Sequence, residues 1–194
     1  KNILDVGSGT GNLCIKLKKS GYNTTGIDFS KEGIALFKQK DINAKVFYGD
    51  ITQGLPFSDN SFDGLCTNNT IYTLPEDSRP LVFREFYRVV KPGGVILVSN
   101  LAEGFSSIAI YLVHIKESLK NKGLVPTLVD FIHFLIPTIK IFYYNILIKK
   151  EHTGGSYSFL TESKQRSLLK SAGFSVLGET RVYGNQAVFT WAKK

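Results

Sequence analysis

Methionine is absent from this 194-residue chain, tryptophan occurs once and cysteine only twice. Two cysteines are too few for a disulfide framework or a structural zinc site. Cys14 and Cys66 both stand in apolar runs, so buried free thiols are expected. No charge-free stretch reaches the roughly 18 residues that a spanning helix requires. The longer ones, such as Gly104 to Ile115, stop well short. No signal-peptide pattern opens the chain, and a reducing cytoplasm is the expected location. The missing first methionine, with an apolar run at the very start, leads us to expect a further segment ahead of Lys1.

What is present is 43% hydrophobic and 21% charged. That balance excludes disorder, collagen and coiled coil. The length suits one domain with an insertion. The net charge of +8 admits nucleic acid, anionic lipid or an acidic ligand. A basic excess by itself is more often a solvated surface.

Short apolar runs alternate with amphipathic ones. Strands are expected over Asn2–Val6, Asn23–Asp28, Ala44–Tyr48, Phe62–Thr67 and Val95–Ser99. Helices are expected over Asn12–Ser20, over Lys31–Lys40 with Ser30 as its cap, and over Ser78–Val90 with Pro80 in the first turn. A last helix starts at Thr161 and stops at Gly173. Strands over Ser175–Tyr183 and Gln186–Ala192 follow, joined at Gly184-Asn185. Such alternation predicts an α/β fold, a doubly wound and mostly parallel sheet with an antiparallel edge. Ligands in these sheets bind at the carboxyl ends of the strands. The interval 101–155 breaks the alternation. It is apolar, lysine-bearing and divided by Pro126 and Pro137, and two or three inserted helices are expected there.

The strongest signal is Asp5-Val6-Gly7-Ser8-Gly9-Thr10-Gly11. Glycines at 7, 9 and 11 let the backbone turn tightly and approach a ligand. The helix start just beyond offers N–H groups to an anion. A dinucleotide fingerprint would need a glycine where Asn12 stands, and there is no Walker lysine. Asp28 closes the second strand, where an acid can accept both hydroxyls of a ribose. Asp50 follows the third, where a carboxylate could accept an exocyclic amine with Ile51 against the ring. Three acids thus fall at three consecutive strand ends around one crevice.

These residues resemble the class I S-adenosylmethionine-dependent methyltransferases. ILDVGSGTG resembles the first motif, GIDFS the acid after it, and GDITQGLPFSDNSFD the adenine loop. RVVKPGGVILVS resembles the run into strand five, and AGF the approach to the last hairpin. The resemblance covers residues 1–100 and 156–194. It implies a Rossmann-like seven-stranded sheet of order 3-2-1-4-5-7-6, and S-adenosyl-L-methionine as cofactor. Asp5 and the backbone at Gly7, Ser8 and Gly9 would hold the methionine part. Asp28 would take the ribose, with Phe29 near the adenine. Asp50 would accept the adenine amine between Gly49 and Ile51, and Asn68 would lie close to the sulfonium.

The substrate is read mainly by elimination. Asn68-Asn69-Thr70-Ile71-Tyr72 lacks the proline of nucleobase amino-methyltransferases, and Leu65, not proline, precedes Cys66. Only Glu103 stands where arginine methyltransferases carry paired glutamates. Nucleic acid is therefore not the expected partner, and the small-molecule group, including quinone, sterol and natural-product enzymes, is the one resembled. Phe105, Ile108, Tyr111, Leu112, Phe131, Phe134, Phe142, Tyr143 and Tyr144 suggest an apolar acceptor pocket in the insertion. They equally suit the core of lid helices. Its lysine-edged helices also suit transient contact with an anionic membrane surface. A cofactor-binding module without transfer activity and an RNA methyltransferase are the alternatives. No catalytic base is assigned: Tyr72, His114, His133 and His152 are the residues in reach of the region. No metal site is expected.

Overall fold

In the computed structural model, residues 1–103, 106–129, 132, 139 and 158–194 are described. β1 (Asn2–Val6) lies at the centre of the sheet, with Leu4 and Val6 fully enclosed. α1 (Asn12–Lys19) returns the chain to β2 (Asn23–Asp28), and α2 (Lys31–Lys40) leads on to β3 (Val46–Tyr48). β4 (Phe62–Asn68), α3 (Arg79–Val89), β5 (Val90–Leu101), α4 (Ser107–Lys122), α5 (Glu162–Ser171), β6 (Ser175–Val182) and β7 (Ala187–Lys193) complete these elements. The strands form one seven-stranded sheet of order β3-β2-β1-β4-β5-β7-β6. β1 to β5 pair in parallel, and β7 runs antiparallel to both neighbours.

The expected helix caps are made. The Ser30 hydroxyl accepts from Gly33 N–H at 2.9 Å, and the Thr161 hydroxyl accepts from Lys164 N–H at 3.2 Å. α3 shows why burial outweighs propensity: Val82, Phe83, Phe86 and Val89 are all fully enclosed. Each contributes about 1.5–3 kcal/mol of burial. Gly184 and Asn185 take positive φ at the last hairpin, as expected, and Tyr183 joins them at φ 53.

The bounds of β3, β4 and β5 differ from expectation for identifiable physical reasons, and those of α1, α3, β6 and β7 differ by one residue at one or both ends. β3 is shorter because Ala44 N–H turns back to the Asp41 carbonyl before edge pairing begins. β4 runs one residue further, to Asn68, by pairing with Ser99. β5 is longer at both ends, and Lys91-Pro92-Gly93-Gly94 becomes a bulge within it. Gly93 sits at φ 78 and donates to the Lys194 carbonyl at 2.9 Å, so Lys194 closes the bulge.

Two buried polar groupings tie the sheet to neighbouring turns and helices. The Asn100 side chain accepts from Ile71 N–H at 3.1 Å and donates to Gln165 Oε1 at 2.8 Å. Gln165 in turn donates to Thr190 Oγ1 at 2.8 Å and the Val98 carbonyl at 3.2 Å. Arg79, 1% exposed, donates to the carbonyls of Tyr72, Leu74 and Ser158. Both groupings hold backbone groups in place, which sets the register of the turn after β4.

Candidate functional site

The site is built where β1, β2, β3 and β4 end. Gly7 and Ser8 N–H groups both donate to the Ile27 carbonyl, at 2.9 and 3.1 Å, which hangs the glycine loop on β2. The Asp28 carboxylate holds the loop from outside. One oxygen accepts from Gly9 N–H at 2.7 Å, the other from Ser30 N–H at 2.8 Å. The N–H groups of residues 7, 8 and 9 are therefore already committed to acceptors of the protein itself. α1, by contrast, begins with no side-chain cap, so its first N–H groups lack a side-chain partner.

The three glycines have different reasons to be glycine. A Cβ on Gly7 would lie 1.9 Å from Thr70 Oγ1, and one on Gly11 would lie 2.0 Å from the Phe37 ring. Those positions are occupied by the protein itself. A Cβ on Gly9, at φ +51, would meet nothing within 4 Å. Gly9 alone of the three faces open space.

The charges around that opening favour a cation. Asp5 is 3% exposed, and burial raises its carboxyl from 3.8 to about 6. The Cys14 thiol donates to it at 3.4 Å and partly offsets that rise, while the negative charge of Asp28 adds to it. Burial and the Asp5 charge in turn push the Cys14 thiol well up, and both cysteines are buried and free, as expected. A buried carboxylate whose charge is disfavoured in this way is stabilised by a positively charged ligand.

The remaining expected residues divide. Phe29 is 73% exposed at the end of β2, an apolar ring turned to solvent beside the opening. Asp50 is exposed and caps a short turn, its Oδ1 accepting from the Thr52 N–H and hydroxyl at 2.9 and 2.8 Å. Gly49 N–H donates to the Asp28 carbonyl at 3.0 Å, which couples the β3 end to the acid of β2. Ile51, expected to lie on a ring, is 5% exposed and belongs to the hydrophobic core. Ser8 is buried with its hydroxyl unpartnered. Asn68 is exposed at the end of β4. Tyr72 is half-buried, its ring stacked on Phe159 at 5.3 Å between centroids.

Several residues of the site were not read from the sequence. Thr70 packs against Gly7 and donates to the Val6 carbonyl at 3.3 Å, Phe37 fills the space beneath Gly11, and Asn69 turns at φ 55 with its side-chain oxygen buried and unpartnered. A doubled Asn before Thr70 is a weak turn signal; nothing local marks Phe37. Of the apolar acceptor residues, Leu112 is 59% exposed. Phe105, Phe131, Phe134, Phe142, Tyr143 and Tyr144, with His133 and His152, lie outside the described residues, as do the side chains of Ile108, Tyr111 and His114. Among the described residues no cluster of His, Cys, Asp or Glu could hold a metal ion. None of the described helices is long and apolar enough to cross a membrane.

A seven-stranded sheet with one reversed strand, carrying an acid-flanked glycine loop at its parallel strand ends, defines a protein of the methyltransferase fold. Residues 4–98 match the methyltransferase domain family model. A malonyl-[acyl-carrier protein] O-methyltransferase from Pectobacterium atrosepticum is 35% identical over 102 residues, 53% of this chain and 39% of the relative. A ubiquinone/menaquinone biosynthesis C-methyltransferase from Rickettsia bellii is 29% identical over 206 residues, 94% of this chain and 72% of the relative. The crystal structure of a SAM-dependent methyltransferase from Methanosarcina mazei superposes with a TM-score of 0.65 at 22% identity, covering 100% of this chain and 92% of that one. The chain thus spans about two fifths of the Pectobacterium relative's length. Over residues 4–98 the chain is similar to the methyltransferase domain family, and this match indicates S-adenosyl-L-methionine as the cofactor.

Proposed function

We propose that the chain transfers a methyl group from S-adenosyl-L-methionine to a small apolar or aromatic acceptor. The observation that carries this is the open space over Gly9, whose N–H is held by Asp28, on a loop that also carries the buried acid Asp5. When bound, the cofactor supplies an electrophilic methyl on a sulfonium, which an acceptor displaces in line.

The protein's part is to bind, align and exclude water. Asp5 offers a buried carboxylate to the ammonium end, and Gly7, Ser8 and Gly9 form the floor beneath it. Asp28 accepts from the ribose hydroxyls with the lone pairs that its two N–H partners leave free. Phe29 covers the adenine, Asp50 beside Gly49 and Ile51 accepts its amine, and Asn68 borders the reacting methyl. Alignment of this kind supplies up to about 7–11 kcal/mol of the barrier. The core comprises residues 1–100 and 156–194, the insertion 101–155 selects the acceptor, and the protein works in the cytoplasm. The ubiquinone/menaquinone biosynthesis C-methyltransferase among the relatives supports an aromatic acceptor. Transient contact of the insertion with a membrane surface would deliver it.

Isotope-labelled cofactor mixed with the protein and a panel of phenolic and quinol-type acceptors tests this. Labelled apolar product is expected. If calorimetry detects neither the cofactor nor S-adenosylhomocysteine bound to folded protein, the reading is refuted. Asp28→Ala removes both the ribose acceptor and the support of Gly9 N–H. Its cofactor affinity falls about 5- to 150-fold, the effect of losing a charge-assisted hydrogen bond. Unchanged affinity would remove Asp28 from the site.

A further inference from the structure

The chain leaves β5 at Leu101, and α4 rises from the same strand ends that carry the glycine loop. Val113 of α4 packs beside Gly184 of the last hairpin, which seats one side of the helix on the core. Gly123, at φ +82, then turns the chain into a second helical stretch over 124–129. Thr127 is 5% exposed, and its hydroxyl donates to the Gly123 carbonyl at 2.7 Å and shares a hydrogen bond with the Ser118 hydroxyl at 3.2 Å. That contact fixes which side of the stretch faces inward.

The outward side is apolar. Leu124 is 76% exposed, Val125 72%, Leu128 58%, Val129 60% and Ile132 61%. Leu124, Val125, Leu128 and Val129, at i, i+1, i+4 and i+5 of the described helical stretch, form one ridge rather than scattered side chains. Leu112 and Leu119 of α4 are exposed as well. Lys116 and Lys120, both exposed, stand among them. Contiguous apolar surface of this kind marks an interaction site.

We propose that the 124–129 ridge, with Leu112, Leu119, Lys116 and Lys120, docks on an anionic lipid surface. Leucine and valine side chains enter the acyl boundary, and the lysines meet the headgroups. A chain of net charge +8 is drawn to such a surface from a distance. No described helix is long and apolar enough to cross, so the ridge lies on the bilayer. A second copy is the poorer occupant. A two-fold contact sets each patch against itself, and Lys116 and Lys120 would then face their own counterparts. Docking goes beyond the methyl-transfer reading and rests on it only for its purpose: it brings an acceptor dissolved in the bilayer to the strand ends where the cofactor site lies.

Vesicle flotation tests the docking, with cofactor calorimetry on the same samples. Wild-type protein floats with phosphatidylglycerol/phosphatidylcholine vesicles, and much less with phosphatidylcholine alone. Leu124→Asp/Leu128→Asp abolishes flotation. Lys116→Gln/Lys120→Gln weakens partitioning roughly 30-fold, about one lysine–headgroup attraction per residue. Both variants keep wild-type cofactor affinity, which shows that they are folded. Failure of the wild type to float, or flotation of the Leu124→Asp/Leu128→Asp protein like the wild type, would overturn the proposal. So would a wild-type dimer in sedimentation equilibrium that this same variant dissociates. Flotation without any cofactor binding would leave the docking standing and refute the methyl-transfer reading instead.

Discussion

Gly9→Val abolishes cofactor binding while the sheet stays folded. A valine Cβ at this position meets no protein atom within 4 Å, so the core does not oppose it. The backbone does, modestly: φ is +51, and a left-handed conformation costs an L side chain about 1–2 kcal/mol. The larger penalty falls on the ligand, because the added methyl groups stand in the space that the cofactor needs. Affinity is expected to fall at least about 100-fold, equivalent to more than about 2.7 kcal/mol. Calorimetry supplies the affinity and far-ultraviolet circular dichroism the fold. Gly11→Val gives the opposite pattern, since its Cβ would stand 2.0 Å from the Phe37 ring and the fold itself must yield. If Gly9→Val binds the cofactor normally, the opening is not the cofactor site.

Asp5→Asn stabilises the protein and weakens its binding at the same time. Burial raises the Asp5 carboxyl from 3.8 to about 6, so the folded state disfavours its charge. Below pH 3.8 the group is neutral, folded or unfolded, and no penalty exists. As pH rises from 3.8 to about 6 the unfolded chain ionises more readily than the folded one, and stability is lost progressively. Above about 6 the penalty is complete and amounts to at most about 3 kcal/mol. The asparagine variant escapes it. Its Tm at about pH 7.5 should exceed the wild type's by several degrees, with a ceiling of about 10 °C. At acid pH the two should converge. The difference between the proteins isolates Asp5 from Asp41, Asp63, Glu76 and Glu85, whose carboxyls are held low by lysine and arginine partners and which stabilise in the opposite sense. Binding runs the other way. A cationic ligand favours ionised Asp5, so wild-type affinity should climb between about pH 5 and pH 7, whereas the variant's stays flat and about tenfold weaker at neutral pH. Equal Tm values at neutral pH would show that Asp5 carries no such burden.

The glycine loop and Asp28 were legible because backbone geometry leaves them few substitutes. A chain that must turn between strand and helix at φ 74, 51 and 77 favours glycine at each of those positions. An acid at the next strand end is placed by the same topology that places the strand. The parts that were not legible depend on contacts between residues far apart in sequence. Phe37 lies under Gly11 only because α2 packs across the loop, and Thr70 meets Gly7 only because β4 neighbours β1. Ile51 shows the limit of reading a residue by position along a motif: its side chain turned inward to the core. The β5 bulge was hidden in a segment that reads as a simple turn, since its closure requires Lys194 at the far end of the chain.

The isolated bridge between Ala102 and Leu160, held beside the Arg79 contact to Ser158, has a consequence for how such a protein diversifies. Departure and return of the intervening chain occur at one point on the sheet. Closing that excursion costs little more when it grows, because loop entropy rises only logarithmically with length. Selection can therefore lengthen, shorten or replace everything between those two residues while the strands beneath keep their register.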